Sequence, residues 1–184
     1  MRIKEEFNLS QEKSKILYFI NLILLAISLP LMSYFHILSN YPTSFLESQL
    51  SFDGDIIKSH FAIMSKQEIN LYILSIIMDY FFIIAFNSIR LYLTIRLTNK
   101  LEVNSMIRKI GPFMAIFGII GATCDCIENY FIILMVHDPL SFPNWWALAH
   151  SYFALTKYII MFATITWLIF ALFTNSIRKN RKET

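Results

Sequence analysis

Residues 118–129, GIIGATCDCIEN, place Asp125, Glu128 and Asn129 inside a run of apolar residues long enough to cross a bilayer. Positions i, i+3 and i+4 share one helix face. Gly118, Gly121 and Ala122 continue that face one to two turns earlier, so a smooth groove leads to two carboxyls and an amide. Carboxylates at such depth are costly and rare, which makes an intramembrane site the default reading. The composition agrees with this setting. Of the 184 residues 56% are hydrophobic and only 16% charged, with 17 Phe and 9 Tyr, as in an integral membrane protein. A net charge of +3 does not point to nucleic acid, because the basic residues collect beside apolar spans, where topology explains them. Cys124 and Cys126, two residues apart on a helix, point about 200° from each other and read as packing residues, neither a chelate nor a disulfide. The first apolar run starts late and has full span length, so it is expected to stay in the mature chain.

Working outward, apolar spans fall at about 16–38, 69–93, 110–136 and 147–173. The expected fold class is all-α: a polytopic integral membrane four-helix bundle, one membrane domain over residues 1–184. Residues 1–15 form a tail of mixed charge, expected as a helix on the membrane surface. Pro30 is expected to kink the first span, and Gly111-Pro112 reads as the start of the third. The loop 40–68 carries Glu47, Asp53, Asp55 and Glu68 against Lys58 and Lys66. After a turn and N-cap at Asp53-Gly54-Asp55, Ile57, Phe61 and Met64 share one face. This predicts a short amphipathic helix in the first outer loop, lying at the interface and covering the bundle end or gating a cavity beneath it. Trp145 and Trp146 suit the other outer turn. Apart from Lys58, Lys66 and Lys157, every Lys and Arg belongs to the amino tail, the carboxyl tail or the connection between spans two and three, with Arg90 at its edge. Both termini are therefore expected in the cytoplasm.

Depth groups the charges. Counted from the outer ends of their spans, Asp79, Asp125 and Lys157 each lie roughly 15 Å in at the helical rise per residue. Glu128 and Asn129 stand less than one turn nearer the outer end. His150, Ala154, Lys157, Met161 and Thr164 form one stripe facing them. With Lys157 alone against Asp79, Asp125 and Glu128, an ionised layer would carry two uncompensated negative charges, which a low-dielectric interior does not tolerate. Three resolutions follow. Protonated carboxyls are one, which suits general acid, general base or proton-relay chemistry. A divalent cation, Mg²⁺, Ca²⁺ or Mn²⁺, could sit on Asp79, Asp125, Glu128 and Asn129. A cationic or hydrogen-bonding ligand could complete the site. The candidate catalytic residues are thus Asp79, Asp125, Glu128 and Lys157, with Asn129, Tyr80 and His150 as ligand-binding neighbours. The competing reading is structural, with Lys157 paired to Asp125 or Asp79 merely to fix helix register. A second, uncharged layer of Asn21, Asn87 and Thr164 lies nearer the cytoplasm, and His36, His137 and His150 read as boundary residues rather than a zinc site.

Met78-Asp79-Tyr80-Phe81-Phe82, then Asp125-x-x-Glu128-Asn129, then Lys157 resemble small four-span membrane proteins with an Asp in span two, D-x-x-E-N in span three and a Lys in span four. The resemblance covers about two thirds of the chain from the outer loop onward, and it implies the site without a reaction. A second likeness, of architecture alone, is to the EXPERA group of sterol isomerases and sterol-binding proteins.

The function expected from these residues is binding or converting a lipid-like small molecule within the bilayer, enzyme activity being left open. The alternatives are a proton- or cation-coupled transporter or channel, which needs a hydrated route past Asn21, Asn87 and Thr164, and a non-catalytic membrane assembly or scaffold protein.

Overall fold

Long apolar runs of low glycine content leave the backbone one way to satisfy its hydrogen bonds in lipid, and that is the helix. The computed structural model describes the backbone of residues 2–183 and the side chains of residues 12–178. It contains α1 (Arg2–Leu38), α2 (Phe45–Gln49), α3 (Gly54–Ile63), α4 (Lys66–Lys100), α5 (Met106–His137) and α6 (Asn144–Glu183), with no strand among the described residues. By length and composition α1, α4, α5 and α6 each carry a stretch able to cross a membrane. Their outward residues, such as Ile23, Phe113 and Phe162, are large and apolar, as a lipid-facing surface requires.

The four long helices form an incompletely closed bundle. α1 packs along α4, α4 along α5, and α5 along α6, while α6 returns only lightly to α4. α1 and α6 do not pack along each other, so one side of the bundle is open. Two glycines set close approaches. A Cβ on Gly111 would lie 2.1 Å from Thr98 Oγ1, and one on Gly121 would lie 2.8 Å from Ile160 Cγ2, well inside van der Waals contact.

Several boundaries differ from the sequence expectation. The charged tail and the first span are one continuous helix, α1, rather than a separate surface segment. α5 starts at Met106, capped by Ser105, whose Oγ accepts from Arg108 N at 3.3 Å. Gly111-Pro112 is therefore inside α5, where Gly111 serves contact with α4. In the loop between α1 and α4, α3 forms as expected. Asp53 Oδ1 accepts from Asp55 N at 2.8 Å, and Ile57, Phe61 and Met64 are buried. They pack on Tyr72, Ile76, Met135 and Ala147 of the bundle, so α3 covers the end of the bundle where α4 begins.

The short α2 was not anticipated. Ser44 and Glu47 form a capping box, with Ser44 N donating to Glu47 Oε2 at 3.0 Å and Glu47 N to Ser44 Oγ at 3.4 Å. The loop is fastened to α6 at several points. Phe52, in the left-handed region at φ 52°, donates its N–H to Ser151 Oγ at 3.1 Å, and its ring meets Tyr152 edge-on at 5.2 Å. Lys58 Nζ donates to Asn144 Oδ1 at 2.5 Å, and Asn144 Nδ2 to Asp55 Oδ1 at 3.2 Å. Lys58 Nζ also donates to Asp55 Oδ1 at 3.3 Å, and the bonds from Asn144 and Lys58 hold the Asp55 carboxyl below its ordinary pKa. Gln49, at the end of α2, accepts from Tyr158 on α6.

Candidate functional site

The polar residues singled out in the spans meet in the interior, carried by the buried faces of α4, α5 and α6. Lys157 Nζ on α6 donates to Asp125 Oδ1 on α5 at 2.6 Å and also contacts Glu128 Oε2. Asn129 Nδ2 donates to Asp79 Oδ2 on α4 at 2.8 Å. One lysine thus serves two carboxylates, and one amide serves the third. Glu128 and Asn129 are completely buried. Glu128 Oε1 and Asn129 Oδ1 have no hydrogen-bond partner there, so two acceptors behind the site are left unpaired.

Asp79, Asp125, Gly121 and Lys157 line a cavity of about 210 Å³. Its other walls are Met32 of α1, Phe45 of α2, Phe82, Phe86, Asn87 and Arg90 of α4, and Tyr158 and Met161 of α6. It lies where α1 and α6 fail to meet, with α2 above it. Glu128 and Asn129 stand behind the wall. A second, open groove of about 390 Å³ runs between α4 and α5 past Gly118, Ala122 and Cys126. The expected smooth face is therefore split, with Gly121 turned to the cavity and Ala122 to the groove.

The remaining candidates occupy other places. Tyr80 does not line the cavity, since its hydroxyl donates to the Cys126 carbonyl at 3.2 Å and ties α4 to α5. His150 is also off the cavity wall. It is buried behind Glu128, with Nδ1 donating to the Glu128 carbonyl at 3.4 Å and 4.0 Å from Oε1. His36 packs against the rings of Phe45 and Tyr72 and does not join His150. The Lys157 ammonium stands between two of the carboxylates, and among the described residues no group of three His, Cys, Asp or Glu is disposed to hold a metal ion. The cysteines are free.

One interior group escaped the sequence reading altogether. Arg90, treated there as a cytoplasmic charge, is buried. Its Nη1 donates to Thr164 Oγ1 at 3.1 Å and its Nη2 to the Gly118 carbonyl at 2.6 Å and to Asn87 Oδ1. Two of the three residues of the expected uncharged layer are thus joined through a cation, while Asn21 Nδ2 donates to Leu17 O of its own helix at 2.8 Å. Asp79, Ile83, Asn87, Arg90 and Thr94 follow one another at three- and four-residue steps on α4, which is the signal that places Arg90 on the face of Asp79. With Arg90 counted, the ionised interior would carry one excess negative charge, not two. Comparison of the chain with protein-family models, curated proteins and solved structures gives no match.

Proposed function

We propose that this multi-pass membrane protein binds a lipid-like, amphipathic small molecule that enters between α1 and α6 and brings its polar end to Asp79, Asp125 and Lys157. The observation that carries this reading is the cavity itself, with charged residues at its inner wall and Phe82, Phe86, Met32 and Met161 around the rest. At about 210 Å³ it has room for a polar group and the first part of a chain, the remainder lying in lipid. Pockets that enclose a drug-sized ligand run from about 300 Å³ upward. In this reading Asp79, held by Asn129, and Asp125, held by Lys157, are the acid-base groups that face the bound molecule, and Lys157 stabilises negative charge. Glu128 supports Lys157 from behind. Flux through the bundle is served less well, because Arg90 ties α4, α5 and α6 together on the inner side of the cavity.

Lipids that co-purify with the protein, identified by mass spectrometry against the surrounding bilayer, test the proposal. Wild type should retain a selected amphiphile, and Met161→Trp, which fills the cavity, should lose it while keeping its unfolding midpoint. The same lipid complement in both, matching the bulk bilayer, would overturn the reading. The topology belongs to this proposal too. Arg96, Lys100, Arg108 and Lys109 lie at one end of the bundle with the basic carboxyl tail, which favours cytoplasmic termini. An impermeant thiol reagent added to intact cells should then label Ser51→Cys and spare Asn104→Cys.

A further inference from the structure

Arg90 lines the same cavity and has no part in the chemistry above. Its side chain belongs to a residue only 5% exposed. Its partners, Thr164 Oγ1, Asn87 Oδ1 and the Gly118 carbonyl, are all uncharged. Nε has no partner, and Arg90 makes no ion pair among the described residues. A buried carboxyl can relieve an uncompensated charge by taking up a proton. A guanidinium cannot shed its own at any accessible pH; Asp125 acts on it through space, but its hydrogen bonds go to neutral acceptors alone and leave Nε open to an anion.

We infer that the cavity takes a lipid-like molecule whose polar group is an anion, a carboxylate or a phosphate monoester, seated on Arg90. This rests on the reading that the cavity holds an amphiphile, and it names the class of that amphiphile. The cavity is polarised to suit it. Gly118 and Thr164, which fix the guanidinium, each lie seven residues inward of Asp125 and Lys157, about 10 Å along the helix axis. The guanidinium Nη2 stands 3.8 Å from where a Cβ on Gly121 would lie, one turn short of Asp125, so an anion on Arg90 sits inward of Asp79 and Asp125, with Lys157 neutralising part of their field. The stacked rings of Phe82 and Phe86, 5.4 Å apart, give its chain an apolar wall, and the Phe86 ring centroid lies 5.6 Å from the Arg90 guanidinium carbon.

The test uses full-length protein in nanodiscs and four diazirine-bearing probes of equal chain length, an alkyl phosphate, a fatty acid, an alkanol and an alkylamine. One or both anions should label the cavity-lining peptides of α4 and α6 at concentrations about tenfold or more below the alkanol, the advantage of a charge-assisted hydrogen bond. Arg90→Gln should remove that preference while alkanol labelling persists, and Arg90→Lys should retain part of it. Equal labelling by alkanol and anions, preference for the amine, or an anion preference untouched by Arg90→Gln would overturn this inference and leave the amphiphile reading standing. Cavity labelling by none of the four would overturn both. The probe comparison on wild type decides the matter even where an Arg90 variant does not fold.

Discussion

Lys157 shows how closely a single side chain can be tied to the fold. Its ammonium is shared by Asp125 and Glu128, so removing it leaves one buried and one partly buried carboxylate without a cation. Lys157→Met is expected to lower stability by about 3 kcal/mol or more, read from unfolding in mixed micelles, and Glu128→Gln in that background should recover part of the loss. Purely independent effects of the two substitutions would show that the pair is not coupled. The Lys157–Asp125 contact was legible in the sequence because antiparallel spans bring equal depths together, and both residues sit in otherwise apolar runs that allow few partners. Arg90 was misread for a physical reason. A cation near the inner end of a span serves topology far more often than binding, and only its three- and four-residue spacing from Asn87 and Thr94 shows that it turns inward.

At the scale of the helices, close approach governs the site. Gly121 lets α5 come near enough to α6 for Lys157 to reach Asp125, and a Cβ there would meet Ile160 Cγ2 at 2.8 Å. Gly121→Val should therefore destabilise the protein by about 1–3 kcal/mol, and Ile160→Ala should relieve part of that cost. An unchanged unfolding midpoint in Gly121→Val would count against this packing. Apolar length made the four long helices readable, and the face of Ile57, Phe61 and Met64 made α3 readable. The helix starts were harder. Pro112 drew attention away from Ser105, yet a proline within the third span can be tolerated where neighbouring helices pack closely. Ser44-x-x-Glu47 and Ser65-x-x-Glu68 carry the capping signature of α2 and α4, but a five-residue helix such as α2 has too little periodicity to be seen by its apolar pattern.

For the molecule as a whole, the loop between α1 and α4 joins the bundle through both packing and exposed polar bonds. The folded-state pKa of Asp55 lies below its ordinary value of 3.8. Its contribution is thus present above that value and is lost as pH falls through the lower, folded one. Amide exchange in residues 54–63, corrected for the intrinsic effect of pH, should quicken on acidification through this range in wild type and lose that dependence in Asp55→Asn. Equal acid sensitivity in the two proteins would assign it elsewhere. How the loop and the open flank combine around one cavity was beyond the sequence, because no periodicity records that α1 packs along α4 and not along α6. If the cavity holds the amphiphile proposed above, that open flank also decides which phase supplies it. A molecule that arrives sideways is drawn from the membrane itself, so occupancy follows its mole fraction among the surrounding lipids. Adding inert lipid at a fixed amount of ligand should empty the cavity, whereas diluting the same vesicles with buffer should leave it filled.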